Sequence, residues 1–168
     1  MHVAVSVGWL GAVVAYLAVA VLVMSSPDVS WLRVGFPLMQ QLVWWVIVPF
    51  NLLSLASGLA SSLASPWGLL RHYWVVTKLI INLVTTVLLL GYTEEINRSA
   101  QLAGRPVLAA AELQALREPM NVVHAATALA LLLLATVLAV YKPAGLTRRG
   151  QRTAAATRAS RGTAPLVG

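Results

Sequence analysis

The residues best suited to chemistry lie in the third of four long apolar stretches of the chain. Arg71, Trp74, Lys78, Asn82 and Thr85 recur at three- and four-residue spacing, so they share one face of a helix. Lys78 lies about six residues inside this stretch, roughly 9 Å along the helix axis. An ionised amine there must find a partner or extend its stem back to the headgroups, and both alternatives stay open. We interpret Asn82 and Thr85 as a polar seam inside a membrane bundle.

Three histidines complete the set of candidate ligands. His2 and His72 begin the first and third apolar stretches, and His124 begins the fourth at the opposite end of the predicted bundle. A neutral imidazole can ligate haem iron, and helix-bundle cores house such sites, although interfacial histidines are also common without such a role. Because the first and third helices run parallel, His2 and Lys78 are expected to converge. They form our cofactor-binding hypothesis, with His124 as a candidate on the other side.

Several kinds of chemistry are absent from the sequence. The chain has no cysteine, which excludes disulfides, thiolate catalysis and cysteine-ligated metals. No pair of carboxylates and no Ser/His/Asp set lies in an apolar stretch, and the isolated glycines form no phosphate loop. We assign Glu94 and Glu95 to a solvated loop. No catalytic residue is assigned, and no metal site is predicted.

The elements that must position these side chains are transmembrane helices. The 168 residues are 59% hydrophobic and 10% charged, whereas soluble domains carry about 25% charged residues. The fold class is therefore all-α, a polytopic four-helix membrane bundle occupying residues 1–142. Its spans are predicted at about 3–24, 38–63, 73–90 and 122–141, each near the 20 residues that cross a bilayer. Pro49 is expected to kink the second span.

Features between and along the spans refine this arrangement. A polar connection of about 30 residues, 92–121, is predicted between the third and fourth spans, with a short helix over 107–118. Small residues on the first helix, including Gly8 and Ala12, and serines around Gly58 on the second predict close antiparallel packing. Tryptophans mostly lie near span ends, which is typical of an aromatic belt; they are Trp9, Trp31, Trp44, Trp45, Trp67 and Trp74.

The distribution of basic residues predicts the orientation. With both termini inside, seven lysines and arginines flank the cytoplasmic side and four flank the outer side. Residues 143–168 form a basic tail that we expect to be disordered in the cytoplasm. Its arginines either enforce this topology or bind anionic lipids; they are Arg148, Arg149, Arg152, Arg158 and Arg161. Despite the net charge of +7, the tail has no aromatic stacking residues, so no nucleic acid partner is expected.

Three strings, at residues 2–13, 66–78 and 141–147, resemble a family of small bacterial membrane proteins catalogued as domain of unknown function 2269. That resemblance implies a four-helix integral membrane protein and no established activity. The histidine early in the first helix, together with Trp74 followed four residues later by Lys78, gives the chain a fainter resemblance to membrane protoporphyrinogen oxidases that bind haem b. Copper-resistance-type membrane domains are comparably distant relatives. The resemblance to the oxidases implies that His2 and Lys78 are the pair of residues on which function depends.

The sequence therefore supports three functional hypotheses. The first is an accessory or scaffold-like protein of the bacterial inner membrane, acting through lipid or through protein partners, including a second copy of the chain. The second is a haem-b redox protein that uses His2 and Lys78. The third, a small transporter or channel subunit, ranks last because one basic residue and four short spans make a poor pathway.

Overall fold

The computed structural model describes residues 2–64, 71–141, 145–148, 150–152 and 155, and these residues are all-helical apart from loops and one isolated β-bridge. The elements are α1 (His2–Ser25), α2 (Val29–Leu42), a π-helical turn (Val43–Ile47), α3 (Val48–Ala64), α4 (Tyr73–Ala103), α5 (Ala110–Leu116) and α6 (Met120–Tyr141). Four helical segments are long and apolar enough to cross a membrane. The all-α prediction is confirmed to this extent.

The helices form a closed ring of four. α1 packs against α2, α3 and α6, while α4 packs against the same three elements from the other side. The starts of α1 and α4 lie together at what we call the N-terminal end. The α1–α2 connection and α5 lie at the far end. The predicted close contact of α1 with α3 is present: a Cβ on Gly8 would lie 2.7 Å from the Phe50 ring, and one on Gly58 would lie 3.1 Å from the His2 ring.

The second long helix begins at Val29, nine residues before the predicted span. Asp28 caps its start by accepting hydrogen bonds from the Ser30 amide at 2.9 Å and the Ser30 hydroxyl at 2.6 Å. These bonds lower the pKa of the Asp28 carboxyl. The expected disturbance at Pro49 takes the form of the π-helical turn just before it, in which the Val48 amide donates to the Val43 carbonyl. The wider turn suits a residue without an N–H group.

The third long helix continues to Ala103, well beyond the predicted span that ends near residue 90. The assignment of Glu94 and Glu95 to a loop is therefore wrong, because both lie exposed on α4. Their charges do not break the helix because its opposite side buries Ile96 and Ala100. The predicted helix over 107–118 is shorter, Ala110–Leu116, and Glu112 accepts a hydrogen bond from the Ala109 amide at its start.

Many of the most deeply buried side chains form a packed layer at the far end, which we call the cap. It comprises residues 20–25 of α1, α2, residues 93–103 of α4, and α5. Its core side chains are at most 2% exposed and are Ala20, Val23, Leu32, Phe36, Met39, Ile96, Ala103 and Leu116. Arg33 donates to the Pro106 carbonyl at 2.7 Å, and Arg117 donates to the carbonyls of Ser26 at 3.1 Å and Pro27 at 2.7 Å. These bonds fasten the loops over the cap.

Candidate functional site

The polar seam begins at the N-terminal end of the bundle, between α1 and α3. The His2 Nδ1 atom lies 3.0 Å from the Ser57 hydroxyl, and its ring packs against Gly58. One turn further, the Ser6 and Ser54 hydroxyls are 3.1 Å apart. Hydrogen bonds of this kind join helices in an apolar surrounding, where helix association lacks a hydrophobic drive.

Lys78 of α4 lies at the same level as His2, as the parallel arrangement predicted. The helical registers place the two residues at one level: His2 and Ser6 contact Ser57 and Ser54 of α3, while Thr86, about two turns beyond Lys78, contacts Asn51. The Lys78 Nζ atom lies 5.9 Å from the centre of the Trp74 ring, within the range of a cation–π contact. Because Trp74 is one turn nearer the N-terminal end, the lysine stem runs toward that end. In the part of the chain that the structure describes, the two ion pairs join Arg98 to Glu95 and Arg105 to Glu112, and neither involves Lys78.

The seam continues at Asn82 and its neighbours on α4. The Thr86 hydroxyl lies 2.9 Å from the Asn51 side-chain oxygen and 2.8 Å from the Asn82 carbonyl. Asn51 is wholly buried, and its side-chain amide group finds no acceptor among the described residues, nor does the Asn82 side-chain oxygen find a donor there. Thr85 donates to the Ile81 carbonyl of its own helix at 2.7 Å. Thr86, not Thr85, is therefore the threonine that links two helices.

A second polar cluster lies nearer the far end and joins α1, α4 and α6. The hydroxyls of Tyr16 and Tyr92 are 2.5 Å apart, and the Tyr92 hydroxyl donates to the Asn121 side-chain oxygen. The His124 ring packs against Tyr92 with 5.0 Å between ring centres. His124 thus lies at the end opposite His2, as predicted, and belongs to a different cluster. Tyr16 and Asn121 are buried, so the cluster ties three helices together inside the bundle.

A cavity of about 90 Å³ separates the two polar clusters. Its walls come from α1, the π-helical turn, α4 and α6 and are almost entirely apolar; they are Trp9, Val13, Tyr16, Val43, Ile47, Thr85, Leu88, Leu89, Tyr92, His124, Ala125, Thr127, Ala128 and Leu131. Trp9 is 2% exposed, so its assignment to an aromatic belt is wrong. Its indole N–H has no hydrogen-bond acceptor among the residues described.

The pair His2 and Lys78 does not fit a haem in this arrangement. The His2 ring is held by Ser57 on one side and packed against Gly58, so α3 occupies the space beside the imidazole. The cavity at Trp9 lies one to two helical turns away along the bundle. Its 90 Å³ is far below the volume of a porphyrin, given that a cavity of about 150 Å³ accommodates a single benzene ring. No group of three or more metal-ligating side chains occurs among the described residues.

Part of the basic tail returns to the N-terminal end of the bundle. The Thr147 amide donates to the Arg71 carbonyl at 3.0 Å, and an antiparallel β-bridge pairs Leu146 with His72. Arg148 and Arg152 are exposed beyond this contact. Arg149, Arg158 and Arg161, also predicted to contact lipid, lie outside the described residues.

Sequence reasoning did not single out Tyr16, Asn51, Thr86, Tyr92 and Asn121. Two signals were available: Asn51 is an amide in the middle of an apolar stretch, and Tyr16 is, with Trp9, one of two large polar-tipped residues in the uncharged interior of α1. No family model matches the chain, and no curated protein or solved structure shows detectable similarity to it.

Proposed function

We propose that the protein is a multi-pass protein of the bacterial inner membrane with both termini in the cytoplasm. The four long apolar helices support insertion. Their exposed surfaces carry large apolar side chains that a bilayer covers, including Val14, Leu53, Leu83 and Leu133. The orientation rests on the excess of lysine and arginine at the N-terminal end and in the tail. Membership of the family of unknown function remains part of this proposal.

The absence of cysteine makes the orientation directly testable. We expect a cysteine at Glu95, exposed on α4 near the far end, to react in intact spheroplasts with a maleimide that cannot cross membranes. A cysteine at Arg148 is expected to react only after the membrane is opened. The unsubstituted protein controls for background labelling. The reverse pattern would overturn the proposed orientation, and labelling of both in intact spheroplasts would show that α6 does not cross the membrane between them.

The biochemical role that we propose is that of an accessory, scaffold-like membrane protein. The observation that supports it is the cap, a layer of side chains that are at most 2% exposed at the far end of the bundle. The long helix made of α2, the π-helical turn and α3 has 36 residues and is about 54 Å long, and α4 has 31 residues and is about 46 Å long. Both are longer than the hydrocarbon core of a bilayer, which is about 30 Å thick. A scaffold requires a rigid surface of this kind, held at a fixed height above the membrane.

The cap presents two different surfaces to its surroundings. The α4 side carries the exposed charges Glu94, Glu95 and Arg98. The α1–α2 side carries exposed apolar residues, which are Val21, Leu22, Trp31, Val34 and Leu38. The apolar side suits contact with lipid, with another membrane protein or with a second copy of the chain, and the charged side suits contact with water. The arginines of the tail add attraction to anionic lipids.

The alternative is a haem-b protein: His2 and Lys78 lie at one level, but Ser57 and Gly58 of α3 would have to move away from the His2 ring to admit a haem. An absorbance spectrum of protein purified from haem-replete membranes, oxidised and dithionite-reduced, separates the two functions. We expect no stoichiometric Soret band from the accessory protein. A band that is lost in both His2→Ala and Lys78→Ala, but kept in His124→Ala, would overturn the accessory role and establish the haem site.

A further inference from the structure

The second long helix carries a row of exposed side chains on the side that is turned away from the bundle. We call it the outer row, and its members are Trp31, Val34, Leu38, Gln41 and Trp45. The four apolar members are between 47% and 76% exposed, and none of the described helices covers them. Their spacing of three or four residues is the one by which two helices pack side by side at a small angle.

The height of the outer row above the bilayer follows from the contact of α2 with α4. Gln40 and Trp44 both donate to the Asn97 side-chain oxygen at 2.9 Å, so this part of the second long helix is level with Asn97. Glu95 lies exposed on α4 just below that level. Because an exposed carboxylate is excluded from hydrocarbon, the hydrocarbon core ends near this height.

Three members of the outer row lie farther out than these groups. Leu38, Val34 and Trp31 are two, six and nine residues beyond Gln40, or roughly 3, 9 and 14 Å toward the far end. Tilt does not return them to lipid: packed helices lie about 8–10 Å apart, so an average tilt of about 20° lowers α2 relative to α4 by only about 3 Å. A cluster of large apolar side chains outside the bilayer marks a protein interface.

The polar groups of this segment favour a second copy of the same helix as the partner. Gln41 lies within the outer row, and its amide both donates and accepts, so two facing copies can hydrogen-bond to each other. Arg33 is the only charge between residues 29 and 45, and it is held by the Pro106 carbonyl at 2.7 Å, so no charge in the row repels a second copy. A groove of about 300 Å³ beside the row has room for a side chain of the partner; it is lined by Gln40, Gln41, Trp44 and Trp45.

We propose that the outer row is a self-association surface, at which two copies of the chain pack their second long helices against each other. Both copies have the same orientation in the bilayer, so the two-fold axis is normal to the membrane and the paired helices run parallel. Each member of the row then meets its own counterpart. The proposal names the partner in the accessory role; it rests on the insertion of the bundle and not on which side the termini occupy.

The absence of cysteine allows the contact to be mapped in liposomes that contain only the purified protein. A disulfide requires Cα atoms within about 7 Å of each other, so Val34→Cys is expected to form a covalent dimer on oxidation. Glu95 lies on the opposite side of α4 from Asn97, which contacts α2, and Glu95→Cys is expected to form at least tenfold less dimer. Equal cross-linking of the two variants, or none in Val34→Cys, would overturn the proposal; the second result would leave the surface to a different protein.

A matched pair of substitutions measures the strength of the association. Val34→Glu places two carboxylates against each other, and it is expected to weaken self-association in liposomes at least tenfold, as measured by energy transfer between donor- and acceptor-labelled copies at increasing dilution in lipid. Val107 is 82% exposed near the far end and lies outside the outer row, so Val107→Glu is expected to leave the association unchanged.

Thermal unfolding checks that both glutamate variants stay folded, which is expected because both positions are exposed. Equal association of folded Val34→Glu and of the unsubstituted protein would overturn the proposal. A failure of the proposed function has different signs: a Soret band would contradict the accessory role, and maleimide labelling would reveal a bundle that is not inserted, whereas neither result alters the cross-linking pattern expected of a dimer.

Discussion

Replacing Gly35 by alanine is expected to destabilise the protein by about 1–3 kcal/mol, the range typical of overpacking a dense core. A Cβ at this position would lie 2.1 Å from the Val23 Cγ2 atom, because α1 and α2 pack closely here. Val23 is 2% exposed, and its branched side chain has little freedom to rotate away. The cost of the clash exceeds the roughly 0.5–1 kcal/mol by which alanine in place of glycine normally stabilises a helix. Thermal unfolding in detergent, followed by circular dichroism, measures the difference.

The matched control is Gly11→Ala. A Cβ on Gly11 meets no atom within 4 Å, so this substitution keeps only the favourable helix term. Combining Gly35→Ala with Val23→Ala is expected to recover part of the loss, since the shorter side chain removes the clashing methyl group. If Gly35→Ala unfolds at the same temperature as Gly11→Ala, the close contact of α1 with α2 is not present in solution.

The second large effect is expected for Tyr92→Phe. The change removes the hydroxyl that joins Tyr16 of α1 to Asn121 of α6, and it leaves two buried polar groups with fewer partners. An unsatisfied buried group costs about 1–3 kcal/mol in proteins, and interhelical bonds in membranes average nearer 0.6 kcal/mol. We expect a loss of about 1–3 kcal/mol, measured as a fall in the free energy of unfolding in detergent.

Two further variants test whether the tyrosines act together. Tyr141→Phe alters a residue that is 79% exposed and is expected to change stability by less than about 0.5 kcal/mol. The double variant Tyr16→Phe/Tyr92→Phe is expected to lose less than the sum of the single losses, because both hydroxyls share one bond. Strict additivity would show that Tyr16 and Tyr92 do not interact.

Much of the helical framework follows from the sequence. α1 and α6 begin and end within two residues of the predicted spans, because uncharged apolar runs set their length. The approach of Lys78 to His2 was also predictable, since alternate spans run parallel. The start of α2 was not, because Gly35 and Pro37 resemble a loop when read locally. Only the contact with Val23 shows that Gly35 serves close helix packing.

The candidate sites were less predictable than the framework. The sequence marks Lys78, Asn82 and Thr85 as one face, but it cannot show that Thr86 rather than Thr85 reaches Asn51. Adjacent residues differ by about 100° around a helix, and the neighbouring helix decides which of them is used. The cavity was wholly hidden for the same reason: its lining comes from four separated parts of the chain.

The π-helical turn also shifts the phase of the heptad pattern along the second long helix. Up to the first residue of the turn, Leu32, Phe36, Met39 and Val43 are buried at alternating steps of four and three. Seven residues after Met39 and Val43 come Val46 and Phe50, yet it is their next neighbours, Ile47 and Asn51, that face the core. The turn therefore acts as a one-residue insertion between two registers. Any relative that lacks it must shorten the helix by one residue to keep the same inward face.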